Sequence, residues 1–83
     1  QIQNPKIIIS INEKNNSIIT TILDNAGGIE NGYINHIFDP YFTTKQKGSG
    51  IGLYMSKMII ESHFKGKIKV FNKDKGASFS IEV

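Results

Sequence analysis

An α/β fold with a mixed, mostly antiparallel sheet is predicted for this chain, and three observations predict it. β-Branched residues crowd two runs near the start, one stretch in the second half repeats its apolar residues at helical intervals, and an alternating run closes the sequence. With 83 residues there is room for one domain. A chain of that size buries only about 60–65% of its unfolded surface, so its core is expected to be thin.

Taken in order, residues 6–11 set Ile7, Ile9 and Ile11 against Ile8 and Ser10, and residues 17–23 repeat the mixture. Stiff β-branched side chains suit a pleated strand, and both runs are apolar on both faces, which implies cover on each side. Asn12-Glu13-Lys14-Asn15-Asn16 between them has the chemistry of a hairpin loop, so the two strands pair antiparallel. Residues 30–37 make a short helix, limited by Pro40, which biases Asp39 away from helical dihedrals. Residues 43–50 are polar and glycine-bearing without an apolar period, the pattern of a flexible loop.

Residues 50–64 are the one long helix. Ile51, Met55, Met58 and Ile59 recur at three- and four-residue intervals as its core stripe, widened by Leu53 and Ile60, with Lys57 and Glu61 on the other side. Lys65-Gly66 ends it, glycine tolerating the left-handed conformation that follows a helix. Residues 67–71 form a strand, residues 72–76 a turn, and Ala77, Phe79, Ile81 and Val83 then alternate as a core face with Ser78, Ser80 and Glu82.

The absence of cysteine excludes disulfides and thiolate metal sites and suits a reducing compartment. The net charge of +3 comes from ten lysines and no arginine. Lysine lacks the planar fork that reads guanine and phosphate, and no basic run is interleaved with stacking aromatics, so nucleic acid is not expected as a partner. No apolar stretch approaches the roughly 18 residues of a membrane span. The chain opens on Gln1 without a leader pattern, and a piece of a longer protein is expected.

Three segments carry the chemistry. Asp24-Asn25-Ala26-Gly27-Gly28-Ile29 follows a strand, so the Asp24 carboxylate can stand at a pocket floor and accept from the exocyclic amine of adenine, where guanine would present a repelling carbonyl. An ordinary surface turn would use the same residues. Phe38-Asp39-Pro40-Tyr41-Phe42-Thr43-Thr44-Lys45 brackets a turn with rings that can anchor a mobile cover, and Lys45 can reach phosphate as a point charge. Gly48-Ser49-Gly50-Ile51-Gly52-Leu53 leads into the long helix, where free N–H groups and the positive dipole end meet a backbone open enough for phosphate. The run is neither a dinucleotide fingerprint, lacking the strand directly before it, nor a P-loop, lacking Lys-Ser or Lys-Thr after it. His36 and His63 stand apart from any metal-ligand spacing and are expected to be structural.

In this order the segments resemble the first glycine box, the phenylalanine box and the second glycine box of the ATP-binding catalytic domain of bacterial sensor histidine kinases, in the superfamily shared with type II topoisomerases, mismatch-repair ATPases and a heat-shock chaperone. The resemblance covers residues 1–83 as the C-terminal half of such a domain, the part bearing the asparagine box being absent. It implies a Bergerat-type sandwich of helices on one mixed sheet, with a flexible ATP lid. It implies Asp24 at the adenine amine, Gly28 shaping the base pocket, Gly50, Gly52 and Leu53 in the phosphate cradle and Ser78 beside the base, while Lys45 and Gly48 are added to the phosphate side by the chemistry of their own segments. Ala26 departs from the family's glycine, adding a methyl and disfavouring positive φ.

The resemblance further implies ATP and Mg2+ as cofactors, the metal ligand lying in the absent part. The implied partners are a His-containing dimerisation domain of the same protein and a response regulator, in a cytoplasmic setting that allows a membrane-anchored parent. The parent would be a histidine protein kinase and this piece alone inactive, with self-association of the fragment open. The alternative is a non-catalytic nucleotide-sensing or interaction module of the same fold. An ATPase of the topoisomerase type fits less well, because its lid lacks the phenylalanine box.

Overall fold

The computed structural model describes residues 4–43 and 48–83. Four strands, β1 (Ile7–Lys14), β2 (Ser17–Asp24), β3 (Lys67–Lys73) and β4 (Gly76–Glu82), form one antiparallel sheet in the order β1-β2-β4-β3. Between β2 and β3 lie α1 (Asn31–Ile34) and α2 (Gly52–Met58), the second running on into a π-helical turn, Ile59–His63.

Both hairpins turn more tightly than the sequence suggests. Lys14 pairs with Ser17, leaving only Asn15 and Asn16 in the loop, at φ 52° and 68°. Two consecutive left-handed residues give the turn whose twist matches the flanking strands, and asparagine tolerates that conformation, so β1 extends through residues 12–14 expected to be loop. Lys73 likewise pairs with Gly76 around Asp74, at φ 56°, and Lys75, which returns Asn72 and Lys73 to the strand.

Register sorts the sheet into two faces. Ile9, Ile22, Phe79 and Val70 align across the strands on one face, as do Ile11, Thr20, Ile81 and Ile68; Ile8, Leu23, Ser78 and Phe71 align on the other. The first face meets the helical layer. There Phe38 packs edge-on against Phe79, with ring centroids 6.4 Å apart, and the Lys57 ammonium lies 5.3 Å from the Phe38 centroid. The layer covers β3 and β4 but stops short of β1: Ile68 keeps 8% of its surface, whereas Ile7, Ile9 and Ile11 keep 69%, 63% and 69%. Expected cover on both sides is therefore lacking for β1, which is exposed along its whole length. The radius of gyration, 13.6 Å, exceeds the roughly 12 Å of a compact domain of this length, as a slab with one half-covered face requires.

The long helix also differs from its expected form. Gly50 is left-handed at φ 71° and cannot join it, so the helix opens at Gly52 after Ile51. Met55, Met58 and Ile59, expected as a core stripe, remain 43%, 42% and 43% exposed, while Tyr54, Lys57 and Ile60 are half-buried. Lys57 belongs to this inner side because its methylene stem can lie along apolar surface while the ammonium sits over Phe38. At the other end it is Lys65, at φ 56°, that takes the left-handed position expected of Gly66. Gly66 serves close packing instead: a β-carbon there would run into the Glu82 carbonyl, and its N–H donates to the Ile60 carbonyl at 2.9 Å.

Candidate functional site

The strand end at Asp24 and the turn between β3 and β4 are fitted together at backbone level. Asp24 Oδ1 accepts from the N–H groups of Ala26, at 3.0 Å, and Ala77, at 3.1 Å. Gly27 donates to the Lys75 carbonyl at 2.7 Å. Gly76 lies against Asp24 so closely that any β-carbon would collide with the Asp24 carbonyl. Gly27 and Gly28 follow at φ 94° and 81°, where glycine is needed, whereas Ala26 has no positive φ. The backbone accommodates Ala26, because the left-handed pair falls one residue later.

Two asparagines fix the loop on either side. Asn25 accepts from the Lys6 N–H and donates to the Asn4 carbonyl, both at 2.9 Å. Asn72 accepts from the Ile29 N–H at 2.7 Å and donates to the Ile29 carbonyl at 2.8 Å. Neither asparagine stands out in the sequence as more than turn chemistry.

Beyond Ile29 the chain enters α1, where the N–H groups of Tyr33 and Ile34 both donate to the Glu30 carbonyl. Phe42 then folds back onto this element, its ring 5.5 Å from that of Tyr33 and 6.2 Å from that of His36. His36 Nδ1 lies 3.0 Å from Asp39 Oδ2, both side chains exposed. The Tyr41 N–H donates to the Gly50 carbonyl at 2.8 Å, joining the end of the aromatic segment to the second glycine run.

These elements enclose an open cavity of about 810 Å3, within the size range of small-molecule sites. Its walls are Gly28, Ile29 and Glu30 after β2; Tyr33 and Ile37 from α1 onward; Phe42 and Thr43; Gly48, Ser49 and Gly50; and Gly52 and Leu53 at the start of α2. Five residues singled out from sequence, Gly28, Gly48, Gly50, Gly52 and Leu53, therefore border one hollow. Ile29, Phe42, Thr43 and Ser49 join them from within the three segments, whereas Glu30, Tyr33 and Ile37 join without a signal in the sequence, since their place depends on how α1 docks.

Asp24 and Ser78 do not line this cavity. Asp24 borders a smaller hollow of about 270 Å3 with Ile8, Leu23 and the lysines Lys6, Lys73 and Lys75. It abuts the main cavity wall through Gly76: the position of a Gly76 β-carbon is 2.8 Å from Asp24 Oδ1, and the Gly76 carbonyl is 3.3 Å from that of a Gly28 β-carbon. Ser78 is 1% exposed and pairs with Leu23, so strand alternation puts its side chain on the sheet face opposite that of Asp24. Ser78, expected beside the base, thus stands away from the cavity and from the Asp24 side chain, and Ala77 is the residue next to Asp24. Lys45 lies outside the described residues. Among the described residues no group of three His, Asp or Glu side chains could hold a metal ion, and Glu30 is the one carboxylate bordering the main cavity. These residues by themselves do not make an Mg2+ site.

Comparison with known proteins places this arrangement. Residues 2–83 match the family model described as histidine kinase-, DNA gyrase B- and HSP90-like ATPase. Sporulation kinase A of Bacillus subtilis is 40% identical over 74 residues, which are 88% of this chain and 12% of that protein. Sensor histidine kinase ZraS of Salmonella typhimurium is 46% identical over 65 residues, 77% of this chain and 14% of its own length. The chain thus spans about an eighth of these relatives.

Among solved structures, the catalytic domain of histidine kinase ThkA superposes with a TM-score of 0.85 at 32% identity, over 96% of this chain and 53% of that domain. ThkA in complex with the response regulator protein TrrA superposes at 0.77 with 27% identity, over 98% of this chain and 22% of that one. The glycine and aromatic segments, the antiparallel sheet and the helical layer over one face accordingly have one origin: the chain belongs to the histidine kinase-, DNA gyrase B- and HSP90-like ATPase family.

Proposed function

We propose that this chain is the ATP-binding portion of a two-component sensor histidine kinase, whose complete protein passes the γ-phosphoryl of ATP to a histidine on a separate dimerisation domain and from there to a response regulator. The observation that carries the reading is the meeting of Gly28, Phe42 and the 48–53 run around one cavity at the start of α2. Adenine would lie towards the Gly28 wall, with the Asp24 carboxylate behind it, and the phosphates towards Gly50 and Gly52, where α2 presents N–H groups that no side chain caps. Phe38, held by Phe79 and Lys57, and Phe42, held by Tyr33, anchor the two ends of the aromatic segment next to it.

Bound ATP supplies the phosphoryl group. The residues of this chain orient the nucleotide and shield it from water on the Ile29, Ile37 and Leu53 side, a contribution of positioning. Mg2+ would take its protein ligand from elsewhere in the complete protein, and no step is routed through it here. No helix among the described residues is long and apolar enough to cross a membrane. A cytoplasmic site of action is part of the proposal. Titration of ATP and ADP against a longer chain carrying these residues tests the reading: binding at micromolar to millimolar concentration is expected, and failure of both nucleotides to bind at millimolar concentration overturns it. Binding without phosphoryl transfer in the complete protein would assign it to the non-catalytic module.

A further inference from the structure

We infer that Asn72 is a positioning residue for the Gly28–Ile29 wall of the cavity, an assignment that rests on the nucleotide reading only for its consequence and not for its geometry. The Asp24–Ile29 loop leaves the sheet after β2, whose ladders end at Asp24 on the β1 side and at Leu23 on the β4 side, and among the described residues Ile29 is in no strand ladder. The carboxamide of Asn72 takes the place of one: it receives the Ile29 N–H at 2.7 Å and returns a hydrogen bond to the Ile29 carbonyl at 2.8 Å, the two-way exchange by which neighbouring strands hold each other. The same carboxamide bounds Gly28. A β-carbon at Gly28 would stand 2.7 Å from Asn72 Oδ1, so the left-handed glycine at φ 81° is pressed against the side chain that fixes its neighbour.

The consequence follows from which atoms are immobilised. Asn72 lies on β3, paired with Ala77, and Ala77 donates to the Asp24 carboxylate. One short stretch of sheet thus sets Asp24 from one side and Ile29 from the other. Without the Asn72 carboxamide the glycine pair would be free to move, since glycine restricts its own backbone least of all residues. The cavity wall would then be ordered only on binding, which weakens a ligand seated against it.

The test compares Asn72→Ala with Asn72→Asp, reading amide hydrogen exchange residue by residue in the 83-residue chain. Asn72→Ala removes both hydrogen bonds, and exchange at Ile29 is expected to accelerate at least tenfold while Phe79 and Ile22 in the sheet stay protected. Asn72→Asp keeps an acceptor for the Ile29 N–H but turns a carboxylate oxygen on the Ile29 carbonyl, so protection at Ile29 should return in part, and further at acidic pH where a protonated carboxyl can donate, a rescue that general loss of stability would not produce. Unchanged exchange at Ile29 in Asn72→Ala, or equal acceleration at Ile29, Ile22 and Phe79 in both variants, overturns the assignment. In a longer chain that binds ADP, Asn72→Ala should raise Kd about three- to tenfold. If the unaltered longer chain binds no nucleotide, the functional reading fails while the exchange result still decides the role of Asn72.

Discussion

The Gly50 carbonyl accepts the Tyr41 N–H at 2.8 Å, and Gly50 sits so near Tyr41 that the position of its missing β-carbon lies 2.7 Å from the Phe42 nitrogen. The two ends of the segment between the aromatic and glycine runs are thereby held together, on a pair of residues that are both left-handed, at φ 70° and 71°. Tyr41 takes this conformation without glycine's freedom, which shows how strongly the junction is determined by its surroundings.

Gly50→Ala should therefore be costly. The left-handed conformation alone disfavours alanine by roughly 1–2 kcal/mol, and the collision with Tyr41 and Phe42 adds to it. A fall in the urea midpoint together with loss of protection at the Tyr41 amide is expected. A stability equal to the unaltered chain would show that the junction does not hold in solution.

Gly52→Ala makes the opposite prediction for the fold. Gly52 opens α2, has no positive φ, and an added β-carbon would meet no atom within 4 Å. Alanine should leave stability unchanged or raise it by up to about 1 kcal/mol. Because Gly52 borders the cavity, the same methyl should weaken ATP binding by a longer chain, measured by calorimetric titration; a stabilised variant with undiminished affinity would place the phosphates elsewhere.

Asp24 separates structure from recognition. Asp24→Ala removes the acceptor of two backbone N–H groups, one of them part-buried, at an expected cost of about 1–3 kcal/mol. Asp24→Asn retains an oxygen acceptor and should cost less in thermal denaturation. If the carboxylate also meets adenine, the asparagine variant loses affinity for ATP out of proportion to its small loss of stability.

Phe38→Ala tests the anchor between layers. The ring is half-buried between Phe79 and Lys57, so about 2 kcal/mol is expected, below the range for a fully buried phenylalanine. Lys57→Met should retain most of this stability, since the lysine contributes its stem as well as its charge.

The bare isoleucines of β1 predict association. Ile7, Ile9 and Ile11 lie on the face whose other half the helices cover, and β1 is an edge strand with no charged residue between Ile7 and Asn12, whereas the opposite edge, β3, carries Lys67, Lys69 and Lys73. Ile9→Lys should reduce light scattering of the 83-residue chain at high concentration and change its stability by no more than about 0.5 kcal/mol, as expected at so exposed a position. Equal scattering by both chains would mean that this edge is not the adhesive surface.

The amino-acid sequence determined what depends on near neighbours. The strands at Ile7 and Ser17, the closing strand at Ala77 and the existence of the long helix follow from β-branched runs and short-range periodicity, and the glycines that border the cavity were legible from their place after β2, for Gly28, and before that helix, for Gly48, Gly50 and Gly52. Tertiary structure decided what depends on distant partners. Which side of α2 turns inward was set by the docking of Phe38, so Lys57 went in and Met55 stayed out. Ser78 and Asp24 parted because the long-range register of β2 on β4 sets Ser78 opposite Leu23, and alternation along β2 then puts Asp24 on the other face of the sheet. Asn72 looked like a turn residue until the fold brought Ile29, 43 positions away, within reach of its carboxamide. A side chain's local pattern gives the conformation it prefers, whereas the partner of a polar group is chosen by packing that brings remote segments together.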